Sequence, residues 1–209
     1  MTYTIEDIRE AGVQAALAHW SLGIRDIQHG YAGDILEIER FFRIVGWQWA
    51  IDKVGGTYRE TASTMWCGIF VGAMYSLVGD FLEDGVCVDV RLNPEVAKLC
   101  MPSCPRLASS SFWKRAGVPP ARRLDPADAQ RGDIVILDTP RTDRPSGDHV
   151  MLALAAPKNG VIRCVEGNAV GELGDGTTGE GVVTNSRPLK DCLHAYRLEL
   201  HHFVGSALK

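Results

Sequence analysis

Three residues of this sequence, Cys67, His149 and Glu166, have the types that thiol-based catalysis requires. A nucleophilic cysteine needs its thiolate, a base within reach and a group that orients that base. Cys67 lies near the head of the run Met65 to Gly79, which is apolar or small except at Ser76. Such a run predicts a buried helix, too short to span a bilayer. Ser63 or Thr64 is its expected cap. A cysteine in the first helical turn meets backbone N–H groups and the positive end of the helix dipole, which favour thiolate over thiol. Gly68 and Gly72 leave one helix face bare, and Ala153 and Ala155 offer a strand that can approach it.

The candidate base and its orienting group fall on strands. From Arg131 onward the apolar period changes from helical to strand-like. The expected strands are 134–137, 149–155, 161–166, 181–184 and 195–200. His149 opens the second of these and Glu166 closes the third. Two registers are open. A loop centred between Pro157 and Lys158 sets His149 opposite Glu166. A two-residue Asn159-Gly160 turn is the stronger short-range signal, and it sets Glu166 opposite Ala153, about 13 Å along the strand from His149 at ~3.3 Å per residue. Both keep the two side chains on one face, but only the wider loop predicts contact.

The elements upstream must carry the cysteine. Apolar positions from Ile5 to Ile27 keep helical spacing across 5–29, until Gly30 to Gly33. Asp34, with Glu37 three residues on, predicts a capped second helix reaching about Val54. Residues 80–107 resist assignment beyond a short strand at 87–90 and a helical turn from Pro94. A helix is expected at 109–116 and a surface loop at 119–130, and the six glycines of 167–181 read as a flexible loop. Helices first and antiparallel strands after indicate an α+β fold. Trp47 and Trp49 cannot share a helix face, so one is expected in the core and the other toward a substrate or partner.

Composition narrows the function classes. With 22 Lys+Arg against 26 Asp+Glu, the chain lacks the basic footprint of a nucleic-acid binder. Arg122-Arg123 and His201-His202 read as solvated pairs. There is no apolar run long enough for a membrane span, and the first residues lack the basic and apolar regions of a secretory signal. The six cysteines read mostly as reduced, buried side chains. Cys87, Cys100 and Cys104 leave a zinc-stabilised interaction protein as one alternative, without a second close cysteine pair to support it.

Four blocks in order, Trp66-Cys67-Gly68-Ile69-Phe70-Val71, Arg131-Gly132-Asp133-Ile134-Val135, His149-Val150 and Val165-Glu166-Gly167-Asn168, resemble those of a CHAP domain. That family comprises cysteine-dependent amidohydrolases and peptidases related to NlpC-type and papain-like enzymes. The resemblance spans roughly residues 34–200. It implies a papain-like antiparallel sheet packed against the helix bearing the nucleophile, with residues 1–33 as a helical extension of a 34–209 catalytic domain in one compact unit. It also implies Cys67 as nucleophile, His149 as general base, Glu166 as orienting group and Asn168 in a supporting polar role, with no cofactor. The implied substrate is bacterial peptidoglycan peptide or another peptide amide. Without a secretory signal, a wall substrate implies delivery by phage lysis or a secretion machine. Asp148 before the histidine, Gly68 after the cysteine and the insertion 80–106 depart from the family pattern and bear on specificity. A non-catalytic binding or assembly module on the same fold is the alternative of a different class.

Overall fold

Thr4 starts the first helix, α1 (Ile5–Ser21), through a reciprocal cap. Its hydroxyl accepts the Asp7 N–H at 3.2 Å, and its own N–H donates to the Asp7 carboxylate at 2.8 Å. The helix stops well before residue 29, because Gly23 adopts φ +66° one residue beyond the Leu22 cap. The second helix, α2 (Ala32–Ile44), begins ahead of Asp34, which lies in its first turn rather than at its cap. It ends far short of Val54. Gly46 at φ +76° donates to Arg43 O, and Trp47 N–H donates to Phe42 O at 2.8 Å, a Schellman closure. The computed structural model describes residues 2–25, 32–47, 66–83, 85–98, 117–138 and 149–208. Ser63, Thr64, Trp49, Cys100, Cys104, Asp148 and the helix expected at 109–116 lie outside them.

The apolar run forms α3 (Cys67–Ser76), in which every residue from Cys67 to Tyr75 is buried. Trp66 occupies the cap position and no side chain caps the helix. Ten residues without a cap would be marginal alone. Burial of Ile69, Phe70 and Met74, each contributing about 1.5–3 kcal/mol, holds α3 in place. A short strand β1 (Arg91–Leu92) and helix α4 (Pro94–Ala97) follow, so the strand expected at 87–90 falls slightly later.

The remaining strands are β2 (Arg122–Leu124), β3 (Ile134–Leu137), β4 (His149–Ala153), β5 (Val161–Glu172), β6 (Thr178–Pro188), β7 (Cys192–Arg197) and β8 (Phe203–Val204). Six form an antiparallel sheet in the order β2-β7-β3-β4-β5-β6, and β1 pairs with β8. The fold is α+β. Two sequence expectations fail here. The surface loop at 119–130 contains an edge strand, and the glycine-rich segment is mostly the long β5–β6 hairpin rather than a loop.

Both faces of the sheet are covered. Ile134, Ile136, Val150, Leu152, Val165 and Val182 share one cluster with α1, α2 and α3. Val135, Met151, Ala153, Cys164 and Ala195 form a second cluster. Ala153 therefore does not face α3, contrary to the sequence reading. The sheet binds α3 at its far end through Tyr75, whose hydroxyl donates to Gly132 O. The 130–133 turn is itself fixed by Asp133, which accepts Arg197 Nε at 2.9 Å and Nη2 at 2.6 Å. No helix among the described residues is long and apolar enough to cross a membrane.

Candidate functional site

Cys67 is the first residue of α3, within the first turn as expected, but the cap is Trp66 rather than Ser63 or Thr64. The helix start is located by a bulge in β5. Glu166 pairs with Val183 and Ala169 with Gly181, so Gly167 and Asn168 together oppose one residue of β6. Asn168 takes φ +58°, and its Oδ1 accepts the Trp66 N–H at 3.1 Å. It thus forms the turn and anchors the residue before Cys67. Gly167 lies flat against the helix, where an added Cβ would come within 2.6 Å of Phe70 Cβ and Trp66 Cζ3. Behind it, Phe41 of α2 packs on Trp66 and Phe70 with ring centroids 6.2 and 5.7 Å away, and His19 of α1 packs on Phe41 at 5.3 Å.

The hairpin between β4 and β5 resolves the open register with neither alternative. Asn159 and Gly160 do form the two-residue turn, both with positive φ, closed by two Lys158–Val161 backbone bonds. Ala155, Ala156 and Pro157 then oppose Ile162 alone, since Leu154 N–H already donates to Arg163 O. The surplus of two residues shifts the register, and Glu166 faces Met151. His149 is its diagonal neighbour on the same face, within reach of long side chains. Contact therefore forms with a tight turn, contrary to the expectation that it needs a wide one.

That contact is direct. His149 Nε2 donates to Glu166 Oε2 at 2.8 Å; an ionised carboxylate only accepts, which fixes the proton on this nitrogen. Nδ1 is the ring nitrogen left for the hydrogen bond that His149 makes with Cys67. Burial opposes charge on the ring, but Cys67 and Glu166 outweigh it and raise its pKa to about 9.

Glu166 has no exposed surface, lies within β5 rather than at its end, and is the hub of the cluster. Arg187 of β6 grips it with both arms, Nε to Oε1 at 2.7 Å and Nη2 to Oε2 at 2.6 Å. Cys164 Sγ donates to Oε1 at 3.0 Å. Burial pushes the carboxyl up, but Arg187 and His149 overcome this and hold it down to about 2. Burial, then the Glu166 charge, pushes the Cys164 thiol far above its ordinary range.

Cys67, His149, Glu166 and Asn168 thus converge on the start of α3. Arg187 and Cys164 complete the cluster, and no local sequence pattern marks either as part of it. Cys67 has no exposed surface, and His149 retains 8%. Other expectations change. His202 is fully buried, its Nε2 donating to Pro119 O at 2.7 Å, so His201-His202 is not a solvated pair. Cys87 is exposed rather than buried, and Cys67, Cys87, Cys164 and Cys192 are all free thiols. Trp47 packs against the core. No group of three potential metal ligands occurs among the described residues. No protein-family model, curated protein or solved structure matches the chain.

Proposed function

We propose that this protein is a cysteine-dependent amide hydrolase. One observation carries the reading: a cysteine at the first residue of a buried helix is hydrogen-bonded to a histidine whose other nitrogen donates to a buried carboxylate. The Cys67 sulfur attacks the amide carbonyl carbon, and the imidazolium of His149 gives its proton to the leaving nitrogen. The C–N bond breaks, the amine departs and a thioester remains. His149, now neutral, takes a proton from water, whose oxygen attacks the thioester carbonyl; the acid leaves and the thiolate–imidazolium pair is restored. Glu166 keeps the imidazole in the required tautomer and orientation, the role a carboxylate plays beside a catalytic histidine. The Cys67 backbone N–H, at the head of α3, is the expected oxyanion donor.

Peptide bonds of bacterial peptidoglycan are the proposed substrate, on the resemblance of the four sequence blocks to CHAP domains. Digestion of purified sacculi by the wild type and by Cys67→Ala tests both parts. New amino ends released by the wild type alone support the proposal and identify the bond. Equal release by the variant removes Cys67 from the chemistry, and no release from several wall types removes the substrate.

The complete burial of Cys67 favours a second reading, a non-catalytic binding or assembly module in which the sulfur is a packed side chain. In that case Cys67 resists alkylation in the folded protein.

A further inference from the structure

We infer that Arg187 is the positioning residue of this site: its guanidinium holds the Glu166 carboxylate ionised and turned toward His149, and so sets the charge state of the imidazole beside Cys67. The inference rests on the amide-hydrolase reading for its consequence, but its geometry stands independently.

A carboxylate without exposed surface has lost its water, and its four acceptor positions must be filled by protein groups. Around Glu166 they are filled by His149 Nε2 and Arg187 Nη2 on Oε2, and by Arg187 Nε and Cys164 Sγ on Oε1. Two of the four come from Arg187. The planar fork of a guanidinium imposes an orientation that a point charge does not. With Oε1 and Oε2 both fixed by the fork, Oε2 can only present its remaining lone pair to the imidazole. Arg187 reaches this position from a distance along β6: its own cross-strand partner is Ile162, whereas Glu166 pairs with Val183. An arginine that extends past Cys164 to reach a carboxylate is placed for that contact rather than for its local pair.

Charges then alternate along the cluster, from Arg187 through Glu166 to His149, which adjoins Cys67. The groups that face Glu166 are His149 from β4, Cys164 from its own strand and Arg187 from β6, with the Cys192 thiol of β7 nearby; Cys67 of α3 faces His149. Arg187 supplies the only permanent positive charge among them. Remove it, and only His149 and the Cys164 thiol are left to oppose the burial of Glu166. The carboxyl then takes a proton more readily, and the imidazole loses part of the anion's hold on its charge. Arg187 keeps about a quarter of its side chain exposed, so a small cation from solvent can enter the space it vacates.

The test is an NMR titration of the His149 imidazole in the wild type, Arg187→Ala, Arg187→Lys and the exposed neighbour Arg163→Ala. Arg187→Ala is expected to lower the His149 midpoint by about one pH unit or more. Guanidinium at millimolar concentration restores it, and Arg163→Ala leaves it in place. Arg187→Lys keeps one charge but loses the fork, and gives an intermediate midpoint; it carries the test if Arg187→Ala does not fold. A wild-type midpoint in folded Arg187→Ala or Arg187→Lys overturns the inference. Because the titration needs no substrate, a wild type inactive on every amide would sink the hydrolase reading and leave this result readable.

Discussion

Cys67 and Cys164 are both free thiols without exposed surface, and they stand at opposite ends of one chain of charged groups. Cys67 touches the imidazole of His149, which is held charged to about pH 9. Cys164 touches the carboxylate of Glu166 at 3.0 Å and serves it as a donor. A cation beside a sulfur stabilises its anion, and a carboxylate opposes it. Burial and residue type are equal at the two positions, and the neighbouring charge is what differs between them. The helix start adds to the contrast, since Cys164 lies within a strand and receives nothing from a helix dipole.

The strongest way to break the comparison is to neutralise the group between the two sulfurs. Glu166→Gln leaves Arg187 without its partner in a buried site and is expected to cost about 3–5 kcal/mol of stability, read by urea denaturation. Part of that cost is pH-linked. Glu166, lowered to about 2, contributes stability that is in place above the ordinary carboxylate value of 4.5 and is lost as pH falls through about 2. His149, raised to about 9, contributes stability that is in place below its ordinary 6.5 and is lost as pH rises through about 9. Wild-type stability should therefore weaken as pH rises from about 6.5 to about 9. In Glu166→Gln that alkaline loss should be smaller and end at lower pH, and the alkaline limb of Cys67 reactivity should move down with it. An alkaline limb unmoved by the substitution would show that Glu166 does not act on His149.

Gly167→Ala tests the seat of α3. The new methyl must displace Phe70 or Trp66, at an expected cost of about 1–3 kcal/mol. Cys67 should lose reactivity while Cys164, on the far cluster, does not change. Asn168→Gly is the mildest of the three, because glycine keeps the left-handed turn and removes only the bond to Trp66 N–H. A loss of about 1 kcal/mol is expected, with Asn168→Ala costing more because alanine must also adopt φ +58°. Thermal unfolding of the three chains ranks them, and a glycine variant worse than the alanine one would refute the anchoring role.

Much of the site was legible because its parts are local. An unbroken apolar run with a cysteine near its head predicts a buried helix with that cysteine in its first turn. His149 and the strand leading to Glu166 stand out by the switch to strand period. The register was not legible, because three residues opposing one between Leu154 and Arg163 is decided by packing on both faces of the sheet, not by the turn dipeptide. Gly167 and Asn168 resemble the start of a loop in sequence because the residues that punctuate loops also make bulges. Helix lengths were overestimated where Gly23 and Gly46 close the helices at positive φ while apolar spacing runs on. Arg187 could not be reached from the sequence, since its contact with Glu166 depends on a register and a side-chain span that no local pattern encodes.

Site-resolved alkylation of the folded protein by iodoacetamide at pH 7, followed by mass spectrometry of the cysteine-containing peptides, sets Cys67 directly against Cys164. The charge arrangement predicts that Cys67 is carboxamidomethylated at least ~100-fold faster, in keeping with thiolate rather than thiol as the reacting form. Equal rates at the two sulfurs, or a Cys67 that reacts only after unfolding, would contradict it.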